Sequence, residues 1–112
     1  MKPDLNKMRF KSTKSDEKGV IGQKTIFNFF QKDNILWAEY SGGKISKGYL
    51  HGKIIKEDHM DFLFNHINSN HEYMNGRCTF QVSVIRSKTH IQTIWSFLSK
   101  ENRKIKVELI EI

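Results

Sequence analysis

The sequence holds one cysteine, Cys78, so no disulfide can close within the chain. A lone thiol suits a reducing compartment, and the expected location is the cytoplasm. The one proline, Pro3, stands near the N-terminus and leaves all later segments free to pair as strands. No apolar run approaches the roughly 18 residues that a membrane helix needs, and no apolar core follows the charged start. Neither a membrane span nor an ordinary signal peptide is therefore expected. Acidic side chains are the scarcer charge, 12 against 19 lysines and arginines, which leaves a net +7. The lysines are spread along the chain rather than clustered, the pattern of a solvated surface more than of a nucleic-acid or membrane patch. His51, His59, His66, His71 and His90 lack metal-ligand spacing, and a single thiol offers no cluster, so neither a metal nor a cofactor is expected.

What the chain does have is alternation. With 38% hydrophobic residues and 12% aromatics, 112 residues suffice for one core and one domain. From Met74 to Val84 the even positions (Met74, Gly76, Cys78, Phe80, Val82, Val84) are mostly apolar, and the odd ones (Arg77, Thr79, Gln81, Ser83) are polar. Side chains alternate across a strand, so this segment has an inside and an outside. Met60 to Asn68 alternates in the same way, placing Met60, Phe62, Phe64, His66 and Asn68 together. The polar Ser69-Asn70-His71-Glu72 between them closes a hairpin.

Further strands are predicted over Met8–Thr13, Thr25–Gln31, Ile35–Ser41, Ile45–Ile55, His90–Leu98 and Lys104–Ile112. Turns are expected at Lys14–Gly19, Lys32–Asn34, Gly42-Gly43, Lys56–His59, Arg86–Thr89 and Ser99–Arg103. Residues 1–7 read as a flexible arm, and 8–112 as a single domain. The eight strands are joined by hairpin-like connections, which predicts an all-β, up-and-down antiparallel barrel. An interior of that size is either filled by side chains or holds one small ligand.

Projecting the strands inward collects Thr25, Tyr40, His66, Asn68, Thr93, Trp95 and Glu111 among aromatic neighbours. A few polar groups in an aromatic cavity make a small-molecule site. The same groups equally make a satisfied internal network, because a buried polar group without a partner is costly. For His66, either Glu111 or Tyr40 is a conceivable partner. Outside the barrel, Trp37 and Ile26 are available to a second copy, or, less favourably, Phe30, Trp37 and Tyr49 to single-stranded nucleic acid beside Lys47, Lys53 and Arg77. Trp37 is expected outside and Trp95 inside.

Tyr40-Ser41-Gly42-Gly43-Lys44-Ile45, followed by Gly48 and Leu50, resembles the Tyr-Ser-Gly-Gly-x-Ile-x-x-Gly-x-Leu signature of a family of small uncharacterised bacterial proteins. Thr25–Phe29, His66-Ile67-Asn68, Gly76-Arg77-Cys78, Trp95 and Glu111 extend the likeness over almost the whole chain from Met8. The resemblance implies an avidin-like or lipocalin-like β-barrel. Relatives often carry an acidic residue where Thr93 stands and a Glu-Glu pair where Ile110-Glu111 stands. Some are labelled N-acetylglutamate synthase, but an acetyltransferase needs a Gly-rich turn opening a helix to cradle a pyrophosphate, and no such unit is legible here. The expectation is thus a binding module for a small molecule rather than an enzyme. The alternatives are a filled structural or protein-interaction barrel, or a weak single-stranded nucleic acid binder.

Overall fold

The computed structural model describes residues 4–13, 21–98 and 104–112. Within them run β1 (Arg9–Ser12), β2 (Ile26–Lys32), β3 (Ile35–Gly42), β4 (Ile45–Lys56), β5 (His59–Asn68), β6 (Tyr73–Ile85), β7 (Lys88–Phe97) and β8 (Lys104–Glu111). Each strand pairs antiparallel with the next. Strand β1 closes onto β8 through Phe10↔Glu111, Lys11↔Ile110 and Ser12↔Leu109, which makes a closed up-and-down barrel. Closure gives every strand two neighbours and so reduces the ladder edge open to another chain. The turns expected at 14–19 and 99–103 lie outside the described residues.

The strands meet their turns for ordinary reasons. Asp33 takes a positive φ of 56° in the β2–β3 turn, which Asp tolerates better than most residues. Gly42, at φ 114°, lies so close to Lys24 that an added Cβ would fall 2.0 Å from the Lys24 carbonyl oxygen. Only glycine serves there. One end of the barrel, here the lower, gathers the turns at 33–34, 57–58 and 86–87. The upper end carries those at 42–44 and 69–72.

The inside–outside alternation holds where it was sharpest. Cys78 and Phe80 are buried while Arg77 and Gln81 are exposed. Trp95 is fully buried and Trp37 is 42% exposed. Nine aromatic side chains, Phe10, Phe27, Phe29, Tyr40, Phe62, Phe64, Phe80, Trp95 and Phe97, share the interior. Their rings touch from one end to the other, with centroids 4.6 Å apart for Phe62–Phe80, 4.8 Å for Phe64–Trp95 and 5.0 Å for Phe27–Tyr40.

Two expectations need correction. Val84, assigned to the inside, is 69% exposed. The pairing of β5 with β6 stops at His59↔Gln81, whereas β6 continues alongside β7 as far as Ile85↔Lys88. The end of this hairpin therefore projects below the barrel as a two-stranded ribbon, whose inner face has no opposite wall.

The second correction concerns the arm. Residues 4–7 are not free. The Lys7 and Leu5 amides donate to the Phe29 carbonyl (2.8 Å) and to Gln31 Oε1 (2.9 Å), and Leu5 is 1% exposed. Leu5 thus plugs the lower end, an apolar contact too isolated in sequence to show periodicity. Leu5→Ala is expected to cost about 2–4 kcal/mol, as for a buried leucine elsewhere. Urea melts measure this, and an unchanged midpoint would show that the plug is not packed.

Candidate functional site

At the upper end of the interior three residues stand in one cross-strand row. Tyr40 on β3 faces Gly48 on β4, and Gly48 faces His66 on β5. Strands β3 and β5 are two spacings apart, roughly 10 Å. The tyrosine spans that gap by lying across the glycine, and a Cβ on Gly48 would sit 2.4 Å from its ring. The Tyr40 hydroxyl thereby comes within 2.9 Å of His66 Nδ1. The imidazole stacks on Phe64 (centroids 5.8 Å, 22°) and meets the edge of Phe97 at 6.2 Å. His66 is 2% exposed, and its Nε2 has no hydrogen-bond partner among the described residues.

Burial decides the charge of this group. It pushes the His66 pKa down to about 4, so the ring is neutral at pH 7. Tyr40 is held well above the usual phenol value, first by burial and then by the neighbouring Cys78. Cys78 is itself raised, by burial and then by the Asp61 charge, so its thiol stays protonated. A neutral imidazole has one donor and one acceptor nitrogen. With the phenol donating to Nδ1, the imidazole proton falls on Nε2 and makes it a buried donor.

The other expected site residues have separate duties. The Trp95 indole donates to the Thr93 hydroxyl (2.8 Å), which donates to the Val107 carbonyl (2.7 Å). That pair is a satisfied network within the core. Thr25 Oγ1 accepts from the Gly22 amide (3.1 Å) and donates to the Gly42 carbonyl (3.0 Å), tying two loops together at the upper end. Asn68 organises the β5–β6 turn, its Oδ1 accepting from the amides of Asn70 (2.9 Å) and Glu72 (3.0 Å). Glu111 accepts from the Thr89 amide at 2.6 Å.

Glu111 lies at the opposite end from His66. Thr89 pairs with Val84 and His66 with Met74, ten residues apart on β6. That is roughly 33 Å of extended strand. Of the two partners conceivable for His66, the geometry brings Tyr40. The alternation puts Met74 and Phe97 on inward faces, but the spacer Gly48 and these two flanking residues are not among the expected site residues. The signal for Gly48 was available, since a glycine inside a strand marks a close approach. Among the described residues, no group of three or more His, Cys, Asp or Glu side chains could hold a metal ion.

This row of residues belongs to a chain whose residues 3–112 match the family model of avidin-like proteins. The chain belongs to the avidin-like family. Searches of curated proteins and of solved structures return no match. The closed eight-stranded barrel is the architecture that membership calls for.

Two outcomes follow for this avidin-like barrel. Thr93→Val leaves the Trp95 N–H buried without an acceptor, and the expected loss is roughly 1–3 kcal/mol in urea melts. The second concerns pH. The folded pKa of His66 is about 4, below the ordinary 6.5, so folding favours the neutral ring. Its stabilising contribution is complete above pH 6.5 and is lost as pH falls toward 4, by on the order of 3 kcal/mol. The Tyr40→Phe/His66→Leu double variant removes both partners and is expected to lose that part of the slope. Identical pH profiles for parent and double variant would contradict the assignment.

Proposed function

We propose that this avidin-like barrel binds a small, uncharged molecule at its upper end, against His66. One observation carries the reading: the buried His66 Nε2 has no hydrogen-bond partner among the described residues, and a Tyr40 hydroxyl that donates to Nδ1 assigns it the proton. An unsatisfied buried donor costs roughly 1–3 kcal/mol, so its persistence is better explained by a ligand acceptor than by folding. The neutral ring favours a carbonyl-type acceptor over an anion. Because contacting rings fill the middle of the barrel, the guest is small and seated near the end, with Phe64 and Phe97 as its apolar walls.

Binding fits this chemistry better than turnover. Proton transfer near pH 7 is best served by a group titrating there. His66 titrates near 4, and the Tyr40 and Cys78 protons are held more firmly than usual. The single thiol places the protein, on this reading, in a reducing compartment such as the cytoplasm.

Small cyclic amides and ketones are suitable probes, read by the imidazole nitrogen signals in NMR and by thermal melting. A probe that binds is expected to shift the His66 Nε2 signal and raise the melting temperature, with both effects absent in the Tyr40→Phe/His66→Leu variant. Probes that stabilise the double variant as well as the parent, or that leave Nε2 unmoved, would favour a filled structural barrel.

A further inference from the structure

The outer face of β2–β6 presents rings that the interior does not use. Phe30 and Trp37 are a cross-strand pair, with centroids 6.1 Å apart and planes at 20°. Trp37 next faces His51, which lies two residues along β4 from Tyr49, so Trp37 and Tyr49 are diagonal neighbours. Beyond Tyr49 the same row continues through Asn65 to Asn75. Ile67 and Tyr73 pair in the row above, and Tyr73 is 85% exposed. Between the two tyrosines lies a groove of about 240 Å³, edged by Lys47 and floored by Asn65 and Asn75. The Lys47 ammonium stands 5.5 Å from the Tyr49 ring centroid.

The charges on this face are unequal. Its acids Glu39 and Asp61 are engaged, by Lys47 at 3.8 Å and by Arg77 at 2.8 Å. Lys53 stands across from Asp61, and Lys32 lies beyond the Phe30–Trp37 pair. Neither lysine forms an ion pair among the described residues. A second copy would bring another net +7 to a face already in positive excess. A polyanion would supply what this face lacks.

We propose that this face binds single-stranded nucleic acid. Exposed rings at neighbouring positions give bases flat surfaces to stack on, which a duplex, with its bases already stacked, cannot use. Lys47, Lys53 and Lys32 flank the rings where a phosphate backbone would run. The paired amides of Asn65 and Asn75 offer donors and acceptors to base edges between the tyrosines. The rings and lysines it uses point out of the barrel, and the groove between the tyrosines is also lined by His66 and Met74, where it adjoins the interior site.

Fluorescence anisotropy tests it, using a fluorescein-labelled oligothymidylate about 20 nucleotides long, its uridylate counterpart and a duplex of equal length. Both single strands are expected to bind at about 25 mM salt and to weaken steeply toward 300 mM. Tyr49→Ala/Tyr73→Ala is expected to weaken binding by roughly tenfold or more, with the salt slope unchanged. Lys53→Gln is expected to make the slope shallower by about 0.7. Urea melts of each variant separate lost binding from lost folding.

Three results would overturn the proposal. The first is no binding at low salt. The second is equal binding of duplex and single strands that ignores the tyrosine variants, which means charge alone. The third is a dimer in sedimentation that dissociates on Trp37→Ala while oligonucleotides stay free, which assigns the face to a second copy.

Discussion

Interior volume is the constraint on which this barrel depends. Eight strands enclose a space that ordinary side chains just fill. This chain puts nine aromatic residues and a histidine into it. They fit because three cross-strand neighbours are glycines. Tyr40 lies over Gly48, Phe62 over Gly52 and Phe64 over Gly76, at distances where a Cβ would stand 2.4, 2.7 and 2.9 Å from the ring. A glycine within a strand weakens it, but a ring laid over the exposed backbone recovers the lost contact. The same device brings Tyr40 to His66. The polar contact at the candidate site is therefore a consequence of how the core is packed.

Packing of that density also settles the electrostatics. Each titratable group in the upper half of the interior is shifted toward its neutral form, His66 downward and Tyr40 and Cys78 upward. With no charge inside, selectivity must come from shape and from single hydrogen bonds. A donor such as the His66 N–H then discriminates sharply, because a guest without an acceptor leaves it unpaired.

Alternation made the faces of the strands legible, and with them most of the core. It reports whether a side chain points in or out, but not its height along the barrel axis. Thr25, Asn68 and Glu111 were therefore grouped with His66, although Thr25 and Asn68 serve loops at the upper end and Glu111 lies at the other end. Asn68 bonds within its own turn, whereas the Gly42 carbonyl beside Thr25 and the Thr89 amide beside Glu111 are brought near only by the folded register. Val84 illustrates a second limit. Its alternation continues without a break, yet the neighbouring β5 stops pairing at His59↔Gln81. The Tyr40–His66 contact needs two registers at once, β3 on β4 and β4 on β5, and no pattern within one strand encodes both.

The alternation that sends the rings inward also determines what remains outside. Phe30, Trp37, Tyr49 and Tyr73 occupy positions of opposite parity to Phe29, Leu36, Leu50 and Met74, so no rotamer change can move them into the core. The stacked Phe30–Trp37 pair supports the sheet by only about 0.2–1 kcal/mol, and Tyr73 stands almost fully in water, whereas lysines beside them keep the chain soluble. Rings and cations placed together on a convex sheet are therefore better explained by something outside the fold. A closed sheet separates its two faces, and the two proposed surfaces meet only at the groove lined by Tyr49, Tyr73, His66 and Met74. Substitutions at Phe30, Trp37 and Lys53, which do not line that groove, therefore test the outer face without touching His66.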